Sequence, residues 1–199
     1  MTQLVRTRAF AAPALTLLLA ACVAAAGCAT LARSGARSGP GDWPLPDPLR
    51  APFVGQIEQD VELGLPGGST HLLAVLEKKK DGVLLVGFSP LGQRLLWLYW
   101  TRAGVKADIA PGVAPYLDQN GLLRELAFAL WPETALQDAF KGGAYRADFG
   151  AHRRVLWRGA AERLVVDYPA GIGGSMLELR LPGEGAGITI RTLPAGTEP

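Results

Sequence analysis

The chain has 199 residues, 49% of them hydrophobic and 19% charged, enough for one domain with its own core and too apolar for a disordered polar tail. The formal charge of +2 vanishes once residues 1–21 are set apart, because they hold Arg6 and Arg8 and no acid and leave 18 basic against 18 acidic residues. Without a basic excess the electrostatic drive for nucleic-acid binding is missing, so no nucleic-acid partner is expected.

Residues 1–21 carry a basic head and then the short apolar run AFAAPALTLLLAA, the pattern of a secretory signal peptide. Pro13 and the alanine-rich composition make the run a poor membrane span. Its end, Leu19-Ala20-Ala21-Cys22, resembles the bacterial lipoprotein box, which implies cleavage before Cys22 and acylation of that cysteine by chains such as palmitate. The alternative is Cys28, which follows Ala25-Ala26-Gly27 but lacks the leucine. These are the chain's 2 cysteines, so the body is expected to hold together by packing alone. Neither Val23 nor Ala29, the residues after them, is the aspartate that retains many lipoproteins at the inner membrane. The resemblance therefore implies an outer-membrane, lipid-anchored protein facing the periplasm.

Residues 22–52 read as a lipidated N-terminus followed by a Pro/Gly-rich tether, with Trp43 and Leu45 able to dock back on the domain. A domain is expected over 53–193, with 194–199 as a tail. FVGQIEQDVEL alternates Phe53, Ile57, Val61 and Leu63 with Gln56, Glu58, Asp60 and Glu62, a half-buried strand. Further strands are expected from Thr70 to about Lys79, over Val83–Phe88 after the Asp81-Gly82 hairpin signal, over Leu95–Trp100, and in a short form over 102–109. Lys78-Lys79-Lys80 at that hairpin reads as a solvated, edge-protecting cluster. DQNGLLRELAFALW is a helix, apolar nearly all round, that Asp118 or Asn120 can cap. Pro132 ends or kinks it and suits the first turn of a second helix to Phe140. Strands return over 153–158, 162–168, 176–181 and 187–193.

Eight or so strands with one small helical unit define a mainly β fold with a helical lid. So long a sheet curls, giving an unclosed antiparallel half-barrel with an apolar inner face. Helices fill that face, or part of it stays open for a lipophilic guest. The stretch Ser89-Pro90-Leu91-Gly92-Gln93-Arg94-Leu95, with Ala129-Leu130-Trp131-Pro132, resembles an uncharacterised family of bacterial lipoproteins often encoded beside aryl polyene biosynthesis genes. That family is similar to LolB, the outer-membrane receptor that takes lipoproteins from the periplasmic carrier LolA. The resemblance implies the LolA/LolB-like half-barrel, a LolA-like carrier as partner, and a protruding Leu91 that probes membrane or cargo.

The chain's 2 histidines, His71 and His152, lie apart in the sequence, and Ser69, Ser89 and Ser175 sit beside turn residues. No nucleophile–base pattern, metal spacing or phosphate loop is present, so neither an enzyme nor a cofactor is expected. The function expected is binding or localising a lipophilic cargo, either lipoprotein acyl chains or a polyene-type lipid. The alternative is a structural lipoprotein with a filled core. Phe88, Leu95, Trp97, Tyr99, Leu122, Leu126, Leu130 and Trp131 are the candidates for lining a cargo cavity, and plain core is their other reading.

Overall fold

In a computed structural model, residues 42–65, 68–182 and 187–194 are described. The signal segment, Cys22, Cys28 and the tail beyond 194 lie outside them. Among the described residues, ten strands form one antiparallel sheet. They are β1 (Gln56–Leu65), β2 (Gly68–Lys78), β3 (Gly82–Phe88), β4 (Arg94–Thr101), β5 (Gly104–Ile109), β6 (Tyr145–Phe149), β7 (Arg153–Arg158), β8 (Ala161–Asp167), β9 (Met176–Arg180) and β10 (Gly187–Thr192). Helices α1 (Gln119–Leu130) and α2 (Glu133–Phe140) interrupt the series between β5 and β6.

The strand order is β5-β4-β3-β2-β1-β10-β9-β8-β7-β6. Two five-stranded meanders thus meet where β1 pairs β10, and β5 and β6 remain as free edges. The sheet is unclosed, a half-barrel with a small helical part, as the strand–helix–strand order predicts. β6 is an addition to the expected strands. Its alternation of Tyr145, Ala147 and Phe149 with Arg146 and Asp148 is the period-2 signal, confined to five residues between glycines.

Local chemistry places the helices. Asp118 caps α1 by accepting from the Asn120 N–H at 3.0 Å. Pro132 caps α2 from outside rather than opening its first turn, and α2 starts at Glu133. α1 buries Leu123, Ala127, Phe128 and Ala129 against the inner face. Behind it Trp131 is fully buried and stacks on Trp100 of β4, with ring centroids 5.0 Å apart.

Residues 42–52 pack on the folded body, where Trp43 and Leu45 dock as the sequence allows. Trp43 is 1% exposed and meets Phe140 of α2 edge-on at 5.1 Å. Its carbonyl accepts from Arg124 Nε at 2.6 Å, and the Asp47 carbonyl accepts from Trp131 Nε1 at 3.0 Å. Arg50 pairs with Asp138, and Arg102 holds the Asp47 carboxylate. This segment is a strap that ties both helices to the β4–β5 wing. A proline-rich composition hides it, because its packing comes from single side chains such as Trp43 rather than from a periodic face.

Candidate functional site

The inner face carries a hollow whose origin lies in one cross-strand row. Gln59 of β1 pairs with Ala74 of β2, Ala74 with Gly87 of β3, and Gly87 with Leu96 of β4. Residues paired across a sheet share a face, so two small residues adjoin each other where the flanking rows carry Leu76 and Leu85. A Cβ at Gly87 would stand 2.9 Å from Leu96 Cγ, so glycine there lets the Leu96 side chain lie close over the strand. Leu122, Glu125 and Leu126 of α1 roof it, and Ile188 and Ile190 of β10 bound the far side. The enclosed space is about 110 Å³, somewhat below the roughly 150 Å³ of an apolar cavity that admits benzene.

Two polar side chains enter this apolar wall. Gln59 is 1% exposed, and its Nε2 has no hydrogen-bond partner. Glu125 is 4% exposed and lines the same space. Leaving a buried amide N–H unpaired costs about 1–3 kcal/mol, so this position is not optimised for packing.

The C-terminal end of α1 is pinned by a buried cation. Arg154 of β7 is 4% exposed, and its Nη1 donates to the carbonyls of Phe128 at 2.9 Å and Trp131 at 2.8 Å. The Tyr168 hydroxyl donates to the Ala129 carbonyl at 2.7 Å. A guanidinium at a helix C-terminus satisfies orphan carbonyls and complements the helix dipole. Its charge lies 5.6 Å from the Phe149 ring centroid and 5.5 Å from that of Tyr168. Burial lowers the pKa of Arg154 and pushes the Tyr168 phenol up to about 12. The cavity lies under the other half of α1, away from this clamp.

The eight sequence candidates separate by strand parity. Leu122 and Leu126 line the cavity. Trp131 is core, and Leu130 packs half-buried against the core. Phe88, Leu95, Trp97 and Tyr99 are not among the residues that line it. In β4 it is Leu96, Leu98 and Trp100 that are buried, while Leu95, Trp97 and Tyr99 alternate onto the outer face. Phe88 joins them there, paired with Leu73. A strand apolar on both faces gives no parity signal. Trp97 and Tyr99 lie 6.1 Å apart on that outer face, and the Tyr99 hydroxyl bonds Asp81.

Leu91 is 96% exposed at the β3–β4 turn. The turn is closed by Ser89 N–H to the Gln93 carbonyl and Gly92 N–H to the Ser89 carbonyl, both at 2.9 Å. Gly92 has φ +76°, a conformation other residues adopt at a cost. The leucine is thus held outward rather than folded onto the strand layer. Ser89 Oγ serves the same turn by accepting from Gln93 N–H at 3.2 Å. His71 lies 3.4 Å from Asp60, and His152 Nδ1 lies 3.1 Å from the Tyr168 carbonyl. Among the described residues, no group of His, Cys, Asp or Glu could hold a metal, and no helix is long and apolar enough to cross a membrane.

The fold and site together define an unclosed β half-barrel with a helical cover over a small apolar hollow. The chain belongs to a family described as a protein of unknown function (DUF3261), whose model matches residues 56–194, from the first residue of β1 to just past β10. No curated protein matches the chain.

Proposed function

We propose that the protein is an outer-membrane lipoprotein that binds, or helps localise, a lipophilic cargo between α1 and the inner face of its half-barrel. The observation that carries this reading is the hollow beside Ala74 and Gly87, an apolar space on the inner face under a helix. Each methylene moved from water into such a space contributes about 0.8 kcal/mol. The resting volume of about 110 Å³ takes a chain end. A longer guest requires the stretch of α1 around Leu122–Leu126 to lift, which breaks the Arg124 bond to the Trp43 carbonyl, while Arg154 and Tyr168 hold the C-terminal end. Lipoprotein acyl chains and polyene-type lipids are the cargo classes in this reading.

Leu91 is the membrane- or cargo-probing tip, supported by its 96% exposure on an ordered turn. The anchor in this reading is an acyl group on Cys22, with Cys28 as the alternative, and the partner is a LolA-like periplasmic carrier. The small resting volume favours one second reading, a structural envelope lipoprotein whose core is filled.

Isolation of the full chain from membranes, followed by mass spectrometry of co-extracted lipid, tests cargo binding. A stoichiometric lipid is expected, and repeated recovery of lipid-free protein contradicts it. Mass spectrometry of the mature N-terminus tests the anchor, with an acylated Cys22 or Cys28 expected and two unmodified cysteines contradicting it.

A further inference from the structure

Gln59 interrupts an otherwise apolar inner stripe of β1, between Ile57 and Val61. Its side chain reaches the hollow created by its own cross-strand neighbours Ala74 and Gly87. There its Nε2 is buried and unpartnered. A purely hydrocarbon guest would leave that donor unsatisfied and gain nothing from it. A guest carrying an acceptor would pair it inside a low-dielectric space, where a hydrogen bond is strongest. Charge decides which acceptor. No lysine or arginine lines the hollow among the described residues, and the acidic residue Glu125 does. A bare carboxylate would therefore be stripped of water with no cation to receive it.

We propose that the cavity recognises a neutral carbonyl on an apolar chain, an ester or amide linkage, with Gln59 Nε2 as the donor that selects it. The inference rests on the cargo-binding reading and adds to it the chemical class of guest. In the resting space of about 110 Å³ the carbonyl and a few carbons occupy the hollow, and the rest of the chain leaves beneath α1. A water molecule on Gln59 is the competitor that such a guest must displace.

The test uses the full chain and three probes of similar length, methyl octanoate, nonane and octanoate, each displacing an environment-sensitive apolar dye. Replacing Gln59→Leu should weaken methyl octanoate by about fivefold, the size of one net hydrogen bond. Nonane should bind the variant at least as well as the native protein, and octanoate should be the weakest probe of native protein at pH 8. The infrared carbonyl stretch of bound methyl octanoate should lie below its value in hydrocarbon, a reading that needs no variant. Equal effects of Gln59→Leu on ester and alkane, a hydrocarbon-like carbonyl stretch, or preference for octanoate would each overturn the assignment while leaving lipophilic binding intact. If no probe binds the native protein, the cargo reading falls and the assignment falls with it.

Discussion

Gln59 is where stability and the proposed function pull apart. An amide donor buried without a partner is a cost, and an apolar side chain of similar size removes it. Gln59→Leu is therefore expected to raise stability by about 1 kcal/mol, read as a higher denaturant midpoint with an unchanged slope. A loss of stability would mean that the amide is satisfied in the folded chain. Tyr168 supplies a pH signature. Burial pushes its phenol from the ordinary 10.0 up to about 12, so its stabilising contribution is complete below pH 10 and is lost as pH rises through 12. That contribution is at most about 3 kcal/mol. Tyr168→Phe should flatten stability between pH 10 and 12, and a slope that persists unchanged would assign that window to other groups. Leu91 contributes little to folding at 96% exposure. Leu91→Glu should change stability by less than about 0.5 kcal/mol while reducing transfer of lipid into vesicles, and unimpaired transfer would remove its role as a tip.

At the scale of elements, α1 is asymmetric. Its C-terminal end is fixed by Arg154, Tyr168 and Trp131, the last bonded to the Asp47 carbonyl of the strap, while the Trp43 carbonyl holds Arg124 near the helix middle. The stretch before that end roofs the hollow with Leu122, Glu125 and Leu126. Arg154→Met keeps the aliphatic stem but strands the carbonyls of Phe128 and Trp131. It should cost on the order of 3 kcal/mol and raise amide exchange first in the last turn of α1. Uniform exchange along the chain would show that the clamp serves the whole fold rather than one helix end. The hollow is open to the opposite manipulation. Ala74→Leu places a larger side chain in the row beside Gln59 and Gly87 and should abolish dye binding with circular dichroism unchanged. Retained binding would place the guest elsewhere.

Across the whole molecule, what the sequence made legible follows from how each element signals itself. Half-wet strands such as β1 and β10 alternate, so their order, their inner faces and the unclosed sheet could be read from period alone. The buried α1 announced itself by its apolar run and its Asp118 cap. β4 is apolar on both sides, so its parity cannot be chosen without its register, which turns Trp97 and Tyr99 away from the hollow. The strap lacks periodicity because its contribution comes from Trp43, Asp47 and Arg50 one by one. The hollow is a property of three strands at once. Gln59, Ala74 and Gly87 lie far apart in sequence, and only the antiparallel register sets them in one row. The one local clue was a glutamine at an inward position.

The central claim is that a lipophilic guest enters between α1 and the inner face. Methyl-resolved NMR of the full chain titrated with methyl octanoate tests it most directly, because the two faces of the sheet carry different methyl groups. The account predicts saturable shifts at Leu122, Leu126, Leu85 and Ile190, which surround the hollow. Shifts confined to Leu73, Val75 and Leu84 on the outer face, or none at any position, would contradict it.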